Sequence, residues 1–169
     1  ASPNTKENET YTIDPEFKNK ITESYGGRNL LKCFQCSTCT ASCPVQPIER
    51  AFNPRRIIRR ATLGVKEVLK DPAIWLCSTC YACNERCPQQ VHISDVMHAL
   101  QNLAVEEGFA PEVIKNIGAY VNDHGRLYEI VEFEAKRRNQ LGLPQIKENP
   151  KDIQKIFEQT NLSKHIKNK

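Results

Sequence analysis

Every cysteine of this chain lies in one of two runs of the same pattern. Cys33, Cys36, Cys39 and Cys43 are followed by Pro44, and Cys77, Cys80, Cys83 and Cys87 by Pro88. Both runs read Cys-x2-Cys-x2-Cys-x3-Cys-Pro, and the second repeats the first at a shift of 44 residues. A structural zinc site takes two Cys-x2–4-Cys hooks from separate segments. Here each segment offers three thiols at steps of three, which suits three iron corners of a cubane with the fourth iron held from outside the loop. Disulfides are a poor reading without a secretion signal, and a thioredoxin-like pair would not come in triplets. The expected cofactors are therefore two [4Fe–4S] clusters. No middle cysteine is missing, so a [3Fe–4S] centre is not expected. No histidine replaces a cysteine, which excludes Rieske chemistry.

In two-cluster ferredoxins the fourth cysteine of each run ligates the other cluster. The expected sets are Cys33, Cys36, Cys39 and Cys87 for one cluster, and Cys77, Cys80, Cys83 and Cys43 for the other. Pro44 and Pro88 lack a backbone donor and turn the chain away after the last ligand. Trp75 and Tyr81, each within two residues of a ligand, are expected to shield a cluster from water and so to influence its potential.

Most of the cysteines also lie in stretches without charged residues. The longest charge-free stretches are Cys33 to Ile48, 16 residues, and Pro72 to Asn84, 13 residues; together they hold seven of the eight cysteines, with Cys87 just beyond the second. Neither is long or apolar enough to cross a bilayer, which takes about 18 or more mainly apolar residues. Residues 1–19 are polar with no apolar centre, so no signal peptide is read there, and the expected location is the cytoplasm. The formal net charge is +4 with thiols counted neutral. Each oxidised cluster with four thiolates adds about −2, so the loaded chain is expected near neutrality. The basicity is then compensation and not a nucleic-acid footprint. Leu, Ile, Val and Phe number 40 of 169 residues, above the roughly 20% below which chains stay disordered.

Helix signals fill the rest. Asp14-Pro15 is an N-cap with proline in the first helical position, opening a helix to about Ser24 that Gly26-Gly27 stops. Asn53-Pro54 opens a second, expected to run four turns to about Lys70, with Ile57, Ile58, Ala61, Val65, Val68 and Leu69 at helical spacing. Asp71-Pro72 opens the turn into Cys77. Ser94 is expected to cap a helix closed by Gly108, and Pro111 to start another that Gly125 interrupts. Leu127 to about Leu141 continues it, and Asn149-Pro150 opens the last. No stretch alternates as a strand would. The predicted fold is all-α: an alpha-helical ferredoxin module with two [4Fe–4S] clusters plus a helical C-terminal extension. The expected divisions are 1–27, an arm and short helix; 28–108, the two-cluster domain; and 109–169, the extension. Residues 1–13 read as an arm or a strap on a partner.

Other residues have ordinary readings. Arg55, Arg56, Arg59 and Arg60 form a basic turn, read first as a solvated helix face and second as a docking patch. One turn without aromatic interleaving does not make a nucleic-acid site. His92, His98, His124 and His165 are scattered, as surface or cap residues would be.

The two runs, the helical spacer and the stretch Gly118-Ala119-Tyr120-Val121-Asn122-Asp123-His124-Gly125 resemble the iron–sulfur, C-type subunit of the soluble heterodisulfide reductases of methanogenic archaea, over roughly residues 28–145. The cysteine runs alone also resemble iron–sulfur subunits of succinate and fumarate enzymes, and of glycolate, lactate and glycerol-3-phosphate dehydrogenases. The first resemblance implies two [4Fe–4S] clusters on these eight cysteines. It implies electron transfer from a flavin-bearing, A-type subunit to a cysteine-rich, B-type catalytic subunit that reduces the coenzyme M–coenzyme B heterodisulfide of methanogenesis. A hydrogenase or formate dehydrogenase would join a larger complex. The alternative is the iron–sulfur subunit of a respiratory or organic-acid dehydrogenase. Eight ligands use eight cysteines, no cysteines are adjacent, and no Gly-x-Gly-x-x-Gly is present. The chain is thus expected to conduct electrons within an oxidoreductase complex and to carry no catalytic residue. The surface around Tyr120, Tyr128 and Phe133 is expected to meet a partner or the cluster module.

Overall fold

The computed structural model describes residues 11–146 and 149–166. Among them there is no strand; the one β-type pairing is a bridge between Ile13 and Val65. The helices are α1 (Pro15–Glu23), α2 (Thr38–Ala41), α3 (Pro54–Thr62), α4 (Ala82–Glu85), α5 (Ile93–Glu106), α6 (Glu112–His124), α7 (Glu132–Gln140), α8 (Lys151–Gln159) and α9 (Ser163–Ile166), with 3-10 turns at Leu30–Lys32, Lys66–Lys70 and Pro72–Leu76. The all-α fold is as expected. The chain divides into two compact units, one ending at Phe109 and one beginning at Ala110.

The first unit is built round α3 and α5. Their apolar stripes, Ile57, Ile58 and Ala61 on one and Val96, Met97, Leu100, Leu103 and Ala104 on the other, enter a single core with Phe17 and Ile21 of α1. Burying each large side chain contributes about 1.5–3 kcal/mol. Leu30 and Ile74, 44 residues apart, are both fully buried just before the first cysteine of their runs. They seat the two loops on the same core. Gln101 Nε2 donates to Ile74 O at 2.8 Å, fixing the second loop to α5. Asn29 Nδ2 donates to Gln90 O at 3.1 Å, joining the start of the first run to the end of the second.

The predicted starts of α1 and α3 hold. Asp14 Oδ1 accepts from Glu16 N, Asn53 Oδ1 from Arg56 N, and proline follows each cap. The length predicted for the second helix does not hold. It stops at Thr62 instead of Lys70, because Gly64 turns left-handed at φ +77° and the chain continues as a 3-10 turn. A Cβ at Gly64 would lie 2.2 Å from Asp14 O, while the Gly64 carbonyl accepts from Asp14 N at 2.9 Å. The N-terminal segment therefore docks where the helix breaks. Residues 1–10 of the predicted arm lie outside the described residues.

In the second unit, Gly125 closes α6 at φ +71°. A Cβ on Gly118 would come within 2.6 Å of Ile166 Cγ2, so this glycine lets α9 lie against α6. The helix predicted from Leu127 begins only at Glu132, and the last long helix runs over Lys151–Gln159, with Pro150 at its N-cap. Tyr128 and Phe133 are exposed, whereas Tyr120 is half-buried and stacks on His124 at 4.1 Å between ring centroids. None of the described helices is long and apolar enough to cross a membrane.

Candidate metal centre

The two cysteine runs fold alike. In each, the second and fourth residues after the first cysteine are left-handed: Gln35 and Ser37 in one loop, Thr79 and Tyr81 in the other. Four non-glycine residues in this region are a concentrated strain, which a folded structure keeps where the surroundings over-determine it. Turns of this hand are also how backbone N–H groups form anion-binding concavities. Each loop then enters a single helical turn, α2 or α4, and the two turns pack together. Arg86 Nη1 reaches Ser42 Oγ at 3.5 Å across equivalent positions of the repeat.

The polar residue after the third cysteine ties each loop to the helix that follows. Thr40 Oγ1 accepts from Arg55 N at 3.0 Å, the second residue of α3. Asn84 Oδ1 accepts from Ser94 N at 2.9 Å, the second residue of α5. Each satisfies one of the amides that a helix N-terminus leaves open. This corrects the predicted cap at Ser94. The N-cap position falls on His92, whose side chain does not cap, and Ser94 lies one residue inside the helix. Its hydroxyl faces Cys83 Sγ at 3.4 Å and the residue is 2% exposed.

One cavity is lined by Cys43 of the first run together with Cys77, Cys80 and Cys83 of the second; Phe52, Pro54, Ser78, Ile93, Ser94 and Met97 complete it. No charged side chain is among them, as the charge-free runs foretold. Burial pushes the Cys77 and Cys83 thiols up, and Cys43 and Cys80 add like-charge repulsion at both. Four thiols in an apolar, uncharged cavity match the donor set of a [4Fe–4S] cluster.

In the first run, burial raises Cys39 to about 11, with like-charge repulsion from Cys33 and from Cys83 of the other run. Cys36 is exposed, and the Thr38 hydroxyl holds its thiol below the usual range. Gln35 Nε2 donates to Cys33 Sγ at 3.3 Å, and Val91 N to Cys87 Sγ at 3.4 Å. Among the described residues no three His, Cys, Asp or Glu side chains converge tightly enough to share one ion.

The remaining residues singled out from sequence are placed around this centre. Trp75 packs against the core half-buried, and Tyr81 stays exposed beside Cys80. His98 Nε2 lies 3.5 Å from Thr79 Oγ1 in the second loop. The basic turn is divided: Arg60 pairs with Asp71 and lies over the Tyr11 ring, while Arg56 and Arg59 are exposed. The left-handed residues and the roles of Thr40, Asn84 and Ser94 were not read from sequence. The one available signal was a short polar residue directly after the third cysteine of both runs.

Residues 29–91 match the 4Fe-4S dicluster domain family, and the two cofactors are [4Fe–4S] clusters. The chain is 39% identical to the C-type subunit of the H2:CoB–CoM heterodisulfide, ferredoxin reductase of Methanothermobacter thermautotrophicus, over 91% of this chain and 86% of that protein. It is 40% identical to the C-type subunit of the ferredoxin:CoB–CoM heterodisulfide reductase of Methanosarcina mazei, over 78% of this chain and 80% of that one. It is 38% identical to a C-type subunit of the H2/formate:CoB–CoM heterodisulfide, ferredoxin reductase of Methanococcus maripaludis, over 68% of this chain and 62% of that one. With this similarity along most of its length, the chain belongs to the family of heterodisulfide reductase C-type, iron–sulfur subunits.

Proposed function

We propose that this chain is the electron-conducting subunit of a heterodisulfide reductase, accepting electrons from a flavin-bearing partner and delivering them to a cysteine-rich catalytic partner that reduces the coenzyme M–coenzyme B disulfide. The observation that carries the reading is the cavity shared by Cys43 and the second run. It interleaves the two loops, setting the fourth cysteine of the first run among the first three of the second. The proposed ligands are Cys77, Cys80, Cys83 and Cys43 for one cluster, and Cys33, Cys36, Cys39 and Cys87 for the other, the second set by the symmetry of the repeat. The proposed divisions are those read from the sequence, with 28–108 holding the clusters.

When bound, the clusters supply one-electron carrier chemistry. The chain's own residues hold and insulate them. Phe52, Ile93 and Met97 keep water from the shared cavity, and Gln35 and the Val91 amide donate to ligand sulfurs. All eight cysteines are used in this assignment, which leaves no thiol to attack a disulfide. The chain would therefore work only with partners. The test is to reduce the purified, cluster-loaded chain with dithionite and add the heterodisulfide. No reoxidation is expected until the cysteine-rich partner is supplied. Turnover by the chain alone would overturn the reading.

A further inference from the structure

Ser94 is nearly fully buried, yet it performs none of the work expected of a serine at a helix start. Its amide is satisfied by Asn84 Oδ1 at 2.9 Å, and its hydroxyl has Cys83 Sγ at 3.4 Å as its contact. A hydroxyl has one proton to donate. A metal-bound cysteine has lost its own, so between these two atoms the serine must be the donor. The comparable hydroxyl in the first loop is differently placed. Thr40 lies beside Cys39, but its proton goes to Asn53 Oδ1 at 3.0 Å, oxygen being the stronger acceptor. The residue of α3 that matches Ser94 by its amide bond is Arg55, which has no hydroxyl. In the first loop the hydroxyls at cysteine sulfurs come from the loop itself and not from the helix that follows, Thr38 Oγ1 standing 3.3 Å from the exposed Cys36 Sγ and Thr40 beside Cys39; a buried hydroxyl carried to a cysteine sulfur by the following helix is found, among the described residues, in the second loop.

We propose that Ser94 is a positioning residue that raises the reduction potential of the cluster bound by Cys43, Cys77, Cys80 and Cys83, by donating its hydroxyl proton to Cys83 Sγ. The inference rests on Cys83 being a ligand, as proposed above. Reduction adds negative charge to the cluster and its thiolates, and a donor at a ligand sulfur stabilises that charge. Hydrogen bonds to sulfur are among the factors that set such potentials. Ser94 can act in this way because it is buried at the start of α5 with its amide held by Asn84, away from competing water.

The test is an EPR-monitored redox titration of the full cluster-loaded chain carrying Ser94→Ala, with Ser94→Thr as the hydroxyl-keeping control. The expected result is a shift to lower potential at one cluster, no shift at the other, iron content equal to the parent chain, and recovery of most of the shift in Ser94→Thr. Unmoved potentials with both clusters present would overturn the inference while leaving the ligation intact. Equal shifts in the alanine and threonine variants would overturn it too, since packing and not the proton would then be responsible. If Ser94→Ala loses a cluster, the residue holds the loop and does not tune it, and the proposal falls. A Cys83→Ala variant that keeps both clusters unaltered would instead defeat the ligand assignment.

Discussion

Around the middle cysteine of the first loop the left-handed residues are Gln35 and Ser37; around that of the second they are Thr79 and Tyr81. Up to the fourth cysteine the two loops are the same object. Beyond it they diverge: ten residues (44–53) separate Cys43 from α3, and five (88–92) separate Cys87 from α5. The helices compensate, since α3 has 9 residues and α5 has 14. Both then close on a left-handed glycine, Gly64 and Gly108, again 44 residues apart. The second residue of each helix is tied to its loop in the same way, yet it is Ser94 in α5 and Arg55 in α3, so a buried hydroxyl reaches a cysteine sulfur from α5 while the first loop relies on Gln35 and Thr38 within its own turn. Ligand geometry and ligand environment are thus separable. The repeat fixes where the thiols stand, and the residue types at matching positions decide what surrounds them.

The two closing glycines give the largest contrast. Gly64→Ala would place a Cβ against Asp14 O and disturb the Asp14–Gly64 hydrogen bond. We expect a loss of about 3 kcal/mol or more in denaturant unfolding. Gly108 has nothing within 4 Å of the added carbon, so Gly108→Ala should cost only the left-handed backbone penalty, about 1 kcal/mol. Equal costs would show that the two helix ends are not held differently. The loop-to-helix ties come next. Thr40→Ala and Asn84→Ala should each cost about 1 kcal/mol, as loss of a cap does, with Thr40→Ala the larger because it also releases Asn53. A neutral result for both would mean the ties do not anchor the loops.

The smallest contrast is in pH dependence. Burial favours the neutral thiol at Cys39, Cys77 and Cys83, and iron binds the thiolate. Protons must leave as clusters load. Loading of the apo-chain should therefore improve as pH rises from neutrality toward the value of about 11 at Cys39, and weaken as pH falls. Cys36, lowered by Thr38, should ionise more readily than Cys39. Iron uptake measured against pH would check this; pH-independent uptake would contradict it.

The cofactors, the all-α architecture and the starts of α1, α3, α6 and α8 were legible in the sequence, because cysteine spacing and a proline at the opening of a helix act locally. What was not legible depends on contacts between distant segments. Helical periodicity through Val65, Val68 and Leu69 continues past Thr62, and only the approach of Asp14 to Gly64 shows why the helix ends there. Ser94 has the composition of a cap. Its role is visible only with Asn84, ten residues earlier, holding its amide. The left-handed conformations of Gln35, Ser37, Thr79 and Tyr81 have no signal in residue type, since their strain is imposed by the loop as a whole.

The exchange of fourth cysteines between the two runs is tested most directly by EPR and iron content of Cys43→Ala beside Cys80→Ala and Cys36→Ala. With the exchange, Cys43→Ala damages the same cluster signal as Cys80→Ala and spares the one that Cys36→Ala removes. A Cys43→Ala spectrum that instead matches the Cys36→Ala loss would show that each run closes on itself, and would contradict the ligation proposed for both clusters.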